Sequence, residues 1–184
     1  MSVSPRQIIP VPRARQSLRL RLKPSESTVG YVDGAWWPRS RDLAAELPAL
    51  VKVLSVRLGP VWRIVFAYTS WDDAPRRIQL GGHSIRLEGV RSQDENVISV
   101  VSLDRQRIHL LVIPPDAGKT ASHDAMMTAA GRDNADAPAL ILTMAGIRPG
   151  TLIPVPCLTP DDVDMVPSRT SRPVLALHSV SARA

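Results

Sequence analysis

The chain has 184 residues, 44% hydrophobic and 22% charged, with a net charge of +6, one cysteine and 4% aromatic residues. This length suits one domain with room for a tail, and the lone Cys157 excludes an internal disulfide and any cysteine-based zinc cage. No apolar run is long enough to span a bilayer, and the LRLRLK run behind Arg6, Arg13 and Arg15 is too charged for the core of a signal peptide. A cytoplasmic protein with no membrane association is expected.

Charge is uneven. Residues 1–131 hold 18 Lys/Arg against 12 Asp/Glu, and residues 132–184 hold 5 against 5. Arginine supplies nearly all of the excess, and its planar fork suits bidentate contact with phosphate or carboxylate. So modest a positive balance supports nucleic-acid contact only weakly.

Residues 1–16 combine prolines and scattered arginines without apolar pattern and read as a mobile basic arm. From there a single α+β domain is expected over 17–131. Leu18, Leu20 and Leu22 alternate with Arg19, Arg21 and Lys23, which predicts a half-buried strand with a cationic outer row. A second strand is predicted over 28–36, interrupted by Gly30 and Gly34.

The stretch Val32–Leu43 then concentrates two tryptophans, an aspartate and two arginines around Gly34 and Pro38. Neighbouring side chains on an extended backbone leave on opposite faces, so one of Trp36 and Trp37 is expected in the core and the other beside Arg39 or Arg41. Pro38 ends the strand, and Ser40 is positioned to cap a helix with Asp42 in its first turn.

That main helix is predicted over 41–58 from the stripe Leu43, Leu47, Leu50, Val51, Leu54 and Leu58, with Pro48 as a kink or restart and Gly59-Pro60 as a stop. Residues 61–69 form the strongest strand, with Trp62, Ile64, Phe66 and Tyr68 expected on its core face. The segment Ser70–Pro75 is a loop. Residues 76–80 and 83–90 make a hairpin through Gly81-Gly82, and 97–103 and 107–113 supply two further strands. Residues 119–131 are helix-compatible, with Gly131 as a stop. Residues 132–184 are proline-rich and lose all period. They are expected to be a mostly disordered tail, with one short piece at 139–147 able to dock.

These elements predict a strongly bent antiparallel sheet or small barrel of about seven strands, with one main helix and a C-terminal helix. An open sheet with both helices on one side is the alternative.

The strings LRLRLKP, DGAWWPRSRDLAAELP, VWRIVFAYTSWDDAPRRI, GGHSIRLEGVRSQDENVISV and IHLLVIPPD resemble an actinobacterial family of small proteins of unknown function, across about positions 17 to 131. DGAWWPRS and LLVIPPD are the most specific parts. The resemblance implies no activity, cofactor or catalytic residue.

Catalytic signatures are absent from the sequence: no phosphate-binding glycine loop with its lysine, no G-x-S-x-G elbow, and no paired histidines among His83, His109, His123 and His178. No cofactor and no metal site are expected. Trp71-Asp72-Asp73 before Arg76-Arg77 reads as a turn with ion pairs, although two carboxylates also suit acid–base work. The binding residues proposed on sequence are Asp33, Trp36, Trp37, Arg39, Arg41, Trp71 and Asp72. The expected role is a non-catalytic binding or adaptor module whose Arg/Trp surface meets an acidic or planar partner, with a protein partner preferred over nucleic acid. The alternatives are a small enzyme with a pocket under the Asp33–Arg41 corner and a nucleic-acid-binding accessory protein. Convergence of Asp33, Trp37, Arg39, Trp71 and Asp72 on one pocket discriminates the enzyme from the binding module.

Overall fold

The computed structural model describes residues 17–27 and 29–149. The expected arm over 1–16 and the tail beyond 149, Cys157 included, lie outside the described residues.

Seven strands form one sheet in the order β1-β2-β7-β6-β3-β5-β4. They are β1 (Leu20–Leu22), β2 (Gly34–Trp36), β3 (Val61–Ala67), β4 (Arg77–Leu80), β5 (His83–Val90), β6 (Val97–Ser102) and β7 (Arg107–Val112). Three helices accompany them: α1 (Leu43–Leu58), α2 (Lys119–Ala129) and α3 (Pro138–Met144). The fold is α+β, as the alternating patterns require. The sheet is open, not a barrel, with β1 and β4 as its edges. It is also mixed: β2 runs parallel to β7 and β3 parallel to β5, while the other neighbours are antiparallel. Period-two patterning identifies a strand but carries no information about its neighbour's direction.

The α1 stripe is the one read from the sequence. Leu43, Leu47, Leu50, Val51, Leu54 and Leu58 are all buried, each contributing about 1.5–3 kcal/mol through the area it removes from water. The cap differs from expectation. Asp42 accepts the Ala45 N–H at 3.0 Å, and Ser40 instead binds the Glu46 carboxylate at 2.9 Å. Pro48 is accommodated within the helix.

The first core lies between α1 and one sheet face, with Trp36, Ile64, Phe66, Ile85, Leu87, Ile98, Val100, Leu110 and Trp71. The second lies on the opposite face, where α2 and α3 cover Val32, Ala35, Val97, Leu111 and Ile113. A domain limit at 131 therefore cuts through a core, because α3 and its exit bury Ile141, Leu142 and Ile147. Helices sit on both faces of the sheet, and the one-sided alternative does not hold.

Trp62 departs from the predicted strand. The register of β3 against β6 shifts between Val61 and Arg63, so Trp62 is an extra residue, a bulge. The bulge breaks the alternation, and Trp62 is 36% exposed, whereas Ile64 and Phe66 are buried. Tyr68, also expected inward, is exposed at the turn that ends β3.

Candidate functional site

The Asp33–Arg41 corner is built mainly to hold the sheet together. Asp33 stands at the entry to β2, where its carboxylate accepts the His109 N–H at 2.7 Å and its own N–H donates to the His109 carbonyl at 2.7 Å. Gly34 follows because the backbone passes too close to β1 for any side chain: a Cβ there would collide with the Arg21 carbonyl and the Leu22 Cα. Trp36 has no exposed surface and stacks on Trp71, with ring centroids 5.4 Å apart and planes 18° apart. Trp37 leaves on the other face and is half-buried. Its partner is Arg19, whose guanidinium lies 3.5 Å from the ring centroid and donates to the carbonyls of Trp37 and Pro38 at 3.0 and 2.6 Å. Arg39 donates to the Ser17 carbonyl at 3.2 Å.

Of the cationic outer row expected on β1, Arg21 is exposed, while Arg19 and Lys23 are drawn inward. Lys23 is buried, and its ammonium donates to the carbonyls of Val29 and Asn134 at 2.8 and 2.7 Å. Burial lowers its pKa, and nearby Asp33 opposes that shift.

Of the seven residues proposed on sequence, Arg41 and Trp71 share a cleft, of about 230 Å³, at one end of the sheet. It gathers Pro38, Ser40 and Arg41 after β2, Thr69 to Trp71 after β3, Glu95 and Asn96 before β6, Pro114 to Asp116 after β7, and Arg148. Its hydroxyls are engaged in holding the loops: Thr69 donates to the Glu95 carboxylate at 2.7 Å, Ser70 to the Glu95 carbonyl at 2.9 Å, and Ser40 binds Glu46. Asp72 is exposed beside the cleft, its N–H bonded to the Arg41 carbonyl at 3.0 Å. Among the described residues no salt bridge joins Asp72 or Asp73 to Arg76 or Arg77, and no cluster of three or more metal-ligating side chains occurs.

A different surface is the more cationic one. On the face opposite α1, strand register places Arg77 beside Arg86, Arg86 beside Arg63, Arg63 beside Val101, and Val101 beside Arg107. Four arginines thus form one row across five strands. The buried positions under α2 and α3 lie on β2, the start of β6 and the end of β7, leaving this half of the face without a described helix. Among the described residues one carboxylate pairs with the row: Glu88, 2.9 Å from Arg63 and 3.8 Å from Arg86. The bulge adds Trp62, whose ring centroid is 5.9 Å from the Arg63 guanidinium. One pleat along, His109 is hydrogen-bonded to Ser99 at 2.8 Å. Burial lowers the His109 pKa, Asp33 raises it and Arg107 lowers it further. The sequence marked only Arg77 of these four, and as an ion-pair partner in the turn after Trp71; the row itself was not visible, because its members come from separate strands and meet through register alone.

The fold and this surface define a small α+β domain with an open mixed sheet and a cationic face. The chain belongs to a family of unknown function, DUF5994, whose model matches residues 19–129. Neither a curated protein nor a solved structure matches it. The family match ends at Ala129, the last residue of α2, so α3 lies beyond it.

Proposed function

We propose that the chain is a non-catalytic binding module that docks an anionic partner on the Arg/Trp sheet face. One observation carries the reading: Arg77, Arg86 and Arg63 occupy neighbouring positions on three adjacent strands, with a single carboxylate paired to them among the described residues. Like charges set side by side on a sheet are destabilising. An arrangement that costs stability and faces outward suits a surface that an anion completes. The enzyme alternative loses support because Asp33, Trp37, Arg39, Trp71 and Asp72 do not converge on one pocket. Asp33 and Arg39 are engaged with the backbone of neighbouring segments. Among the described residues no helix is long and apolar enough to cross a membrane. A cytoplasmic setting, inferred from cysteine usage, belongs to the same proposal.

The test compares two triple variants of equal charge change on an immobilised polyanion. Arg63, Arg86 and Arg107 become Gln in one; Lys52, Arg105 and Arg132 become Gln in the other. The first should elute at clearly lower salt than the second. Equal elution would remove the reading.

A further inference from the structure

We infer that the anion this face accepts is the phosphate backbone of a single-stranded nucleic acid, with a base stacked on Trp62; this rests on the binding role proposed above. The geometry is that of a line. Adjacent strands lie about 4.8 Å apart, so the row from Arg77 to Arg107 extends roughly 19 Å. An extended strand of phosphates can follow such a row, with Arg77, Arg86 and Arg107 exposed to take a phosphate bidentately while Arg63 is held by Glu88. Charge alone would serve an acidic peptide equally well.

The bulge separates the two. It turns Trp62 out of the core, where the other aromatic of β3, Phe66, stays buried, and sets it beside Arg63 in the middle of the row. A carboxylate chain has no use for an exposed indole, whereas an unpaired base offers a planar face to stack on it, and every base has one. Bulges recur where a side chain must be re-aimed. A cationic track with an interleaved aromatic is the arrangement that non-specific single-strand binders use. A duplex keeps its bases stacked on each other and would leave Trp62 without a role. The neighbouring Ser84 and Gln79 are polar and uncharged, so the row has no acidic border on the β4 side.

Fluorescence anisotropy of the full chain with a labelled eight-nucleotide oligo(dT) tests this, with a duplex of equal length and a poly-glutamate peptide of equal charge as competitors. The single strand should bind and both competitors should displace it poorly. Three phosphates neutralised, four arginines less the Glu88 carboxylate, predict a slope of log K against log salt of roughly −2.1. Arg86→Gln should weaken binding and reduce that slope by roughly 0.7. Trp62→Ala should weaken binding about tenfold with the slope unchanged, because stacking releases no counterions. Lys52→Gln, on the exposed side of α1, should change neither, and circular dichroism confirms that each variant is folded. If poly-glutamate competes on equal terms and Trp62→Ala binds normally, this inference is overturned while the anionic docking role survives. Equal binding of the duplex overturns it likewise. If neither anion binds, or binding ignores all four arginines, both readings fall.

Discussion

Trp36 and Trp71 stack face to face, although one ends a short strand and the other follows the turn after β3. The pair ties the Trp-Trp-Pro corner to the far side of the first core, and it fixes which of the two adjacent tryptophans is structural. Trp36→Ala should lower the unfolding free energy by roughly 3–5 kcal/mol, as truncation of a buried aromatic does. Trp62→Ala, at the exposed bulge, should cost about 1 kcal/mol or less. Urea denaturation of the two variants checks the contrast.

The second core makes the segment after Gly131 part of the folded unit. A variant ending at Pro149 keeps Ile141, Leu142 and Ile147, and one ending at Gly131 loses them. Each such burial is worth about 1.5–3 kcal/mol. Thermal melts should therefore place the variant ending at Gly131 well below the one ending at Pro149. Matching melts would show that α3 contributes nothing to stability.

Lys23 joins the loop before β2 to the loop after α2 through two backbone carbonyls. Lys23→Met retains much of the aliphatic stem but leaves those carbonyls without their donor. The expected loss is roughly 1–3 kcal/mol, the cost of buried unsatisfied acceptors. Hydrogen exchange should also accelerate at the Lys23 amide, which donates to the Asp33 carbonyl.

His109 predicts a pH dependence. Its folded pKa is lowered below the ordinary 6.5, first by burial. Between that lowered value and 6.5 the unfolded chain binds the proton and the folded chain does not. Stability therefore falls as pH drops through this window and is fully retained above it. His109→Gln should flatten this part of the stability curve, and NMR titration of the imidazole should give a midpoint below 6.5.

What the sequence revealed depended on period. The strands of 77–112 and the α1 stripe were legible because alternation and the 3.6-residue repeat survive without knowledge of neighbours. Trp62 was misplaced because one bulge residue inverts parity, and nothing local to Val61-Trp62-Arg63 marks it. Of the outward cations expected around β1, Arg21 is exposed, yet Arg19 covers Trp37 and Lys23 is buried, both through partners distant in sequence. Of the residues proposed for binding, Arg41 and Trp71 reach one cleft, while Trp36 is core and Asp33 is bonded to β7. The arginine row was invisible for the same reason as the parallel pairings: register is a property of the assembled sheet.

The most direct measurement of the proposed docking role is an NMR titration of the full chain with inorganic tripolyphosphate, following arginine Nε–H and tryptophan indole signals. Arg63, Arg77, Arg86 and Arg107 should shift together and saturate with one affinity, with the Trp62 indole responding and the buried Trp36 indole still. Shifts centred on Arg41 and Arg148 at the end-of-sheet cleft, or shifts spread evenly over all arginines, would contradict the account.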